Sequence, residues 1–432
     1  MKKFIETVNN IFKIEELRKR IVYTVLLILV YRLGCHVVIP GIDPAALDAS
    51  KALASQAEGG LVGLLNVFSG GAFANASLFA LGVMPYITAS IIIQLLGMMV
   101  PAVQKVMKEG ESGRRKMNNW TRLLTIAVLA VQGPAYLANL HNQAPEAFIY
   151  GNGAWFTIYA ILLLISGTMF VMWLGEKITD KGIGNGVSLI IMIGIVSRLP
   201  LAFGQELTAQ FKTGSVIMVI VEIVLLFVIF MATIAVVQAV RKIPVQYAKR
   251  IVGNKQYGGV RQYIPLKMNA ANVMPIIFAQ ALMFIPMLIP GLAGSFTSVT
   301  GIWYNVTLAV LVIVFTYFYT AIIINPQQMA EDMKRNGGFV PGIKPGKATV
   351  SYIDGILTRI TLPGSIFLAL VAILPSIAMQ FGIQQEFAYF FGGTSLLIMV
   401  GVVLDTLQQI ESHLLNRHYD GLMKTGRIQG RH

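Results

Sequence analysis

The sequence predicts an all-α polytopic membrane protein, with ten transmembrane helices in two inverted five-helix halves around a central pore. Three observations predict it. Of 432 residues, 55% are hydrophobic and only 12% are charged, against roughly 25% charged in a soluble domain. That leaves too little polar surface to cover a globule of this size. Apolar stretches of about 17–25 residues, long enough to cross a hydrocarbon core of about 30 Å, recur along the whole chain. Finally, two segments of the first half reappear in the second, five spans later in each case.

Residues 1–20 carry six basic side chains and an apolar stripe of Phe4, Val8, Ile11 and Phe12 at helical spacing. This predicts an amphipathic helix on the cytoplasmic face rather than a cleaved signal peptide. The first half, 21–200, holds spans near 21–39, 78–100, 123–140, 155–174 and 183–199, with a glycine-rich segment at 61–74. The second half, 201–411, holds spans near 216–240, 271–292, 302–324, 356–379 and 393–407. Long polar loops fall at 241–270 and 326–352, and 412–432 forms a polar tail. The single cysteine, Cys35, excludes an intrachain disulfide.

Lys and Arg concentrate before the first span, in 101–121, in the two long loops and in the tail, so every second crossing returns to the basic side. By the positive-inside rule that side is the cytoplasm, and both termini lie there. A net charge of +14 gathered mostly on one face attracts anionic lipid head groups, acidic protein surfaces or RNA.

The repeat is direct. VMPYI at 83–87 resembles VMPII at 273–277, and GVSLIIMIGIV at 186–196 matches GTSLLIMVGVV at 393–403 with seven of eleven positions identical. Five is odd, so the second half enters the membrane upside down. Inverted repeats place a pathway at the interface of the halves, which makes Ile87 with Ile277, and Ile191 with Ile398, candidates to face a common axis.

Few ionisable residues fall within the spans, among them Arg32, Glu222, Arg359 and Asp405, with Glu222 standing alone and no histidine deep in a span. His, Cys and carboxylate spacing offers no metal site and no nucleophile–base pair, so the sequence predicts no enzyme and no cofactor. GIGNG at 182–186 lacks the preceding strand of a dinucleotide loop, and GIKPGKAT at 342–349 has the wrong glycine spacing for a phosphate loop. Two readings stand at this point: a pore energised by a partner, or an inverted-repeat secondary transporter with an essential Glu222.

LNVFSGGA at 65–72, ALGVMPYITASIIIQLL at 80–96, KGIGNG at 181–186, GGFVPG at 337–342 and FGGTSLLI at 391–398 resemble, in order and spacing, the motifs of the SecY family of translocon channels. The resemblance implies a passive pore that exports unfolded polypeptides bearing signal sequences and releases transmembrane segments sideways into lipid. Carried over by motif, it implies a pore ring of Val83, Ile87, Val187, Ile191, Ile277 and Ile398. A ring of branched apolar side chains closes around any sequence, because dispersion is non-directional, and it resists wetting when shut. The plug it implies spans about 61–74, with Leu64, Leu65, Val67, Phe68, Gly70 and Gly71. The lateral gate would carry Gln94, Thr125 and Asn272. Arg241, Lys242, Lys249, Arg250 and Lys344 would dock the SecA ATPase or the ribosome. The family often has Arg where Lys344 stands, and Lys lacks the bidentate fork. Further implied are SecE and SecG as partners, contact with anionic membrane lipids, and residence in the bacterial plasma membrane.

Overall fold

The structure is a computed structural model, and it describes residues 14–47, 66–149, 151, 153–213, 216–247, 250–252, 255–257, 261–283 and 300–425. Leu64, Leu65 and Lys249 lie outside the described residues. The chain divides into two compact units, one formed by Met1–Leu201 with Val402–His432 and the other by Ala202–Gly401.

The first unit contains α1 (Glu15–Gly34), α2 (Met84–Met99), α3 (Pro101–Lys108), α4 (Glu111–Gln143), α5 (Ala154–Lys181) and most of α6 (Gly186–Thr213). The second contains the end of α6, then α7 (Val216–Gln238), β1 (Val240–Tyr247), β2 (Arg250–Val252), β3 (Lys255–Tyr257) and β4 (Arg261–Lys267). It continues through α8 (Met274–Leu282), α9 (Ile302–Ile323), α10 (Pro326–Arg335), β5 (Gly338–Phe339), α11 (Lys347–Gln380) and α12 (Gln385–Ala388). The last helix, α13 (Gly393–Thr425), begins there and ends in the first unit.

Among the described residues seven helices are long and apolar enough to cross a membrane, or eight if the bent pair Met84–Gly97 and Pro101–Met107 counts as one. The first expected span corresponds to α1, and the seventh begins as α8 before running into residues outside the description. α7 shows what these helices face: Ile217, Ile220, Val224 and Phe227 are all exposed. Such a surface is stable only in lipid, where the helix also satisfies its own backbone polar groups.

α4 has 33 residues and α11 has 34. At 1.5 Å per residue each measures about 50 Å, well beyond a hydrocarbon core of about 30 Å, so both project past the lipid. The projecting end of α11 packs on the strands. There β1 pairs antiparallel with β4, from Val240↔Lys267 to Gln246↔Arg261, and with β5 at Gln246↔Phe339. Ile243, Val245, Leu266, Met333, Val340, Ile353 and Leu357 form the small core beneath this sheet. Within 241–270, where a polar loop is expected, β1 and β4 thus form an antiparallel pair.

Candidate functional site

The repeat has the same backbone signature in both units. Gly82 and Asn272, which precede the matching Val-Met-Pro segments, are left-handed, with φ of 52° and 51°. Turn bonds then recur in register: the Met84 N–H donates to Leu81 and that of Met274 to Ala271, both at 3.3 Å. One helical turn on, Ile87 donates to Val83 at 3.1 Å and Ile277 to Val273 at 3.3 Å. α6 and α13 likewise both begin on the aligned glycine, Gly186 or Gly393. All six ring candidates thus sit at or near a helix start. In the first unit, Val83 caps α2 with Ile87 one turn later, and Val187 and Ile191 share a face of α6, because residues four apart align. In the second, Ile277 lies in the first turn of α8 and Ile398 in the second turn of α13. Val83, Ile191 and Ile398 are buried, while Ile87, Val187 and Ile277 are partly exposed.

The described part of the expected plug, Asn66–Ala74, is a compact, internally bonded turn. Ser69 Oγ accepts from the Phe73 N–H at 3.0 Å, and Asn66 Oδ1 accepts from the Ala74 N–H at 3.2 Å. The Gly71 N–H donates to the Asn66 carbonyl at 2.9 Å, and the Tyr136 hydroxyl anchors the segment by donating to the Phe73 carbonyl at 2.8 Å. Val67 and Phe68 are buried, as is Phe73, which joins a core with Ile39, Ile42, Ala76, Leu137 and Phe148. Gly70 and Gly71 are left-handed, with φ of 64° and 90°. The segment rests on α6 at Gly194, where an added Cβ would lie 2.7 Å from the Phe68 carbonyl oxygen and 3.3 Å from the Gly70 nitrogen. Gly194 is three residues beyond Ile191, so the segment meets α6 one turn from a ring candidate. Arg32 and Arg198 close over it. Sequence reasoning gave Arg32 no role and passed over Arg198, because a charge near a span end reads as an interfacial anchor.

The three gate candidates differ. Gln94 Nε2 donates to Ser90 Oγ at 3.4 Å, and the buried Thr125 hydroxyl donates to its own helix at Thr121, 2.7 Å away. Asn272 occupies the left-handed position described above, which Asn tolerates better than most residues, so its local role is in the backbone.

Glu222 does not stand alone. α6 continues through Pro200 to Thr213, which brings the fully buried Glu206 and the largely buried Gln210 to α7. Gln210 Nε2 donates to Glu206 Oε1 at 2.8 Å and to Glu222 Oε1 at 3.2 Å. Glu206 Oε2 accepts the Gln384 backbone N–H at 2.7 Å. This network ties the α6–α7 turn to the segment leading into α13.

On the sheet, Arg241 and Lys242 are exposed at the start of β1, opposite Leu266 and Pro265. Arg250 lies in β2, opposite Tyr257. Lys344 is exposed in the turn after β5, where its carbonyl accepts from the Thr349 hydroxyl at 3.0 Å. In the 182–186 segment the glycines serve packing: the Ile183 N–H donates to Thr24 Oγ1 at 3.1 Å, and the Gly184 N–H to Gln409 Oε1 at 2.8 Å.

Fold and repeat together define an internally duplicated helical membrane protein of the channel or transporter class. The SecY family model matches residues 77–407. The protein translocase subunit SecY of Streptomyces scabiei is 42% identical over 437 residues, covering 96% of this chain and 98% of that one. The fold is similar to that of a protein-conducting channel, with a TM-score of 0.62 and 17% identity over 91% of this chain and 92% of the other. It is also similar to a SecY structure whose plug domain is described as stabilising the closed state and maintaining a membrane seal, with a TM-score of 0.60 and 18% identity at the same coverage. A third similar fold is Sec61 in a canine ribosome–channel complex, with a TM-score of 0.55 and 17% identity, again at that coverage. This chain belongs to the SecY family.

Proposed function

We propose that the chain forms the protein-conducting channel of a translocase, passing unfolded secretory polypeptides across the membrane and releasing transmembrane segments sideways into lipid. The observation that carries this reading is the buried glycine turn Asn66–Ala74, seated on α6 one helical turn from Ile191. Val83, Ile87, Val187, Ile191, Ile277 and Ile398 form the constriction, and the turn is its plug. Gln94, Thr125 and Asn272 mark the lateral gate, with Asn272 acting through the backbone.

The pore is passive: SecA or a ribosome supplies the drive, and SecE and SecG brace the chain. Arg241, Lys242, Lys249, Arg250 and Lys344 form the docking patch. A ribosome meets it through RNA phosphates, so binding weakens with salt. The membrane is the bacterial plasma membrane, with both termini and the sheet on the cytoplasmic side and anionic lipids against the basic face. The transporter reading instead makes Glu222, which accepts a hydrogen bond from Gln210, essential to activity.

The test is crosslinking of a stalled secretory chain to the reconstituted complex, with single cysteines at positions 87, 191, 277 and 398 and the native Cys35 replaced. Crosslinks at all four that require SecA and ATP are the expected outcome. No crosslink at these positions, or crosslinks that do not require SecA and ATP, would overturn the ring.

A further inference from the structure

Two arginines converge on the main chain of the Gly70–Gly71 turn. Arg32, in the last turn of α1, donates from Nη1 to the Gly70 carbonyl at 2.7 Å. Arg198 reaches from α6 and lays its guanidinium against the next residue: a Cβ on Gly71 would lie 3.1 Å from Nε, 3.2 Å from Cζ and 3.3 Å from Nη2. A Cβ on Gly70 would be 3.0 Å from Arg32 Nη1 and 2.9 Å from the Gly194 Cα. Arg198 Nε is buried and has no hydrogen-bond partner among the described residues. Among the described residues neither guanidinium meets a carboxylate: Arg32 bonds the Gly70 carbonyl and lies beside the Cys35 thiol, and Arg198 lies against Gly71.

A guanidinium within a membrane span is expensive and is retained for a use. Here both close over a segment whose left-handed glycines leave room for them. A guanidinium stays protonated at any accessible pH, and its bond to a carbonyl is charge-assisted and correspondingly strong where water is scarce.

We infer that Arg32 and Arg198 are positioning residues that latch the plug shut by gripping its main chain at Gly70 and Gly71. This rests on the reading of Asn66–Ala74 as a plug. The grip falls on backbone, so the latch is indifferent to the plug's side chains. Arg32 holds by a directed bond and Arg198 by a flat face over Gly71. The two should therefore respond differently to lysine, which keeps a donor and a charge but has no plane.

The experiment reconstitutes the full chain with its partner subunits in planar bilayers and measures resting ion conductance. A cysteine at Ser69, with Cys35 replaced, is labelled in parallel by a membrane-impermeant maleimide. R32Q/R198Q raises both conductance and labelling rate by roughly tenfold or more, the scale expected for loss of a charge-assisted bond. R32K restores most of the seal, and R198K restores little. The inference is overturned if the double variant conducts and labels like the unsubstituted protein while deletion of residues 61–74 makes the channel leak. If that deletion leaves the conductance unchanged, the plug reading fails, and the latch with it. R32K and R198K variants that cannot be told apart would overturn the division of roles.

Discussion

Gly194 and Gly401 are partners in the internal repeat, yet their surroundings differ. A Cβ on Gly194 would lie 2.7 Å from the Phe68 carbonyl oxygen and 3.3 Å from the Gly70 nitrogen, both main-chain atoms that cannot swing aside. A Cβ on Gly401 would meet nothing within 4 Å. Gly→Ala in a helix interior gains about 1 kcal/mol of helix propensity at either position, so the difference between the two variants isolates the plug contact. Overpacking at a rigid contact costs about 1–3 kcal/mol. At 1.4 kcal/mol per decade this shifts the seated-to-released ratio of the plug by roughly 5- to 150-fold. Resting ion conductance of the reconstituted complex reads this shift, and export of a precursor with a defective signal sequence reads it independently. G194A should leak and export the defective precursor, while G401A should do neither. Equal behaviour of the two variants, or a silent G194A, would refute the seating of the plug on α6.

At the proposed constriction, I191N and I398N should each admit water, raise resting conductance and loosen signal selection, measured in the same bilayers and export assay; unchanged leak and selection would remove these residues from the proposed ring. E206A strips the acceptor from both Gln210 and the Gln384 N–H and should cost at least about 1–3 kcal/mol, read as a lower thermal midpoint in detergent. E222Q keeps an acceptor for Gln210 and should export normally, whereas a transporter would lose activity. N272G should be silent, while N272V forces a β-branched residue into a left-handed conformation and should cost about 1–2 kcal/mol; a transport defect in N272G would restore Asn272 as a side-chain gate contact. R241E/K242E should weaken ribosome binding in sedimentation, and the deficit should shrink as salt is raised.

The repeat was legible because its matched stretches fix backbone as well as sequence, down to the left-handed residue before each Val-Met-Pro. What escaped had competing local explanations. The expected spans stop at 199 and resume near 216, which leaves Glu206 between them and Glu222 solitary, whereas the helix runs on through Pro200 to Thr213 because a proline in a long helix needs only local relief. The strand pair escaped because seven basic residues over 241–270 outweighed the short alternation in which buried Ile243 and Val245 flank the half-buried Pro244. The gate polar residues illustrate a harder limit. A threonine in a membrane helix satisfies itself equally well on the carbonyl four residues back or across to a neighbour, and Thr125 takes the first option.

β1 has a mechanical consequence. It bonds to β4 on one side and to β5 on the other, and it follows α7 after a single residue, while β4 leads through a short turn into α8 and Ile277. Strain applied at the exposed turn carrying Lys344 cannot stay in that turn: hydrogen bonds running across the strands hand it to a plate stiffened by Ile243, Val245 and Leu266. The plate then bears on α7, α8 and α11 together. Two stretches nearly a hundred residues apart in the chain thus share one plate, joined to α7 and α8 through the chain and to α11 through Ile353 and Leu357.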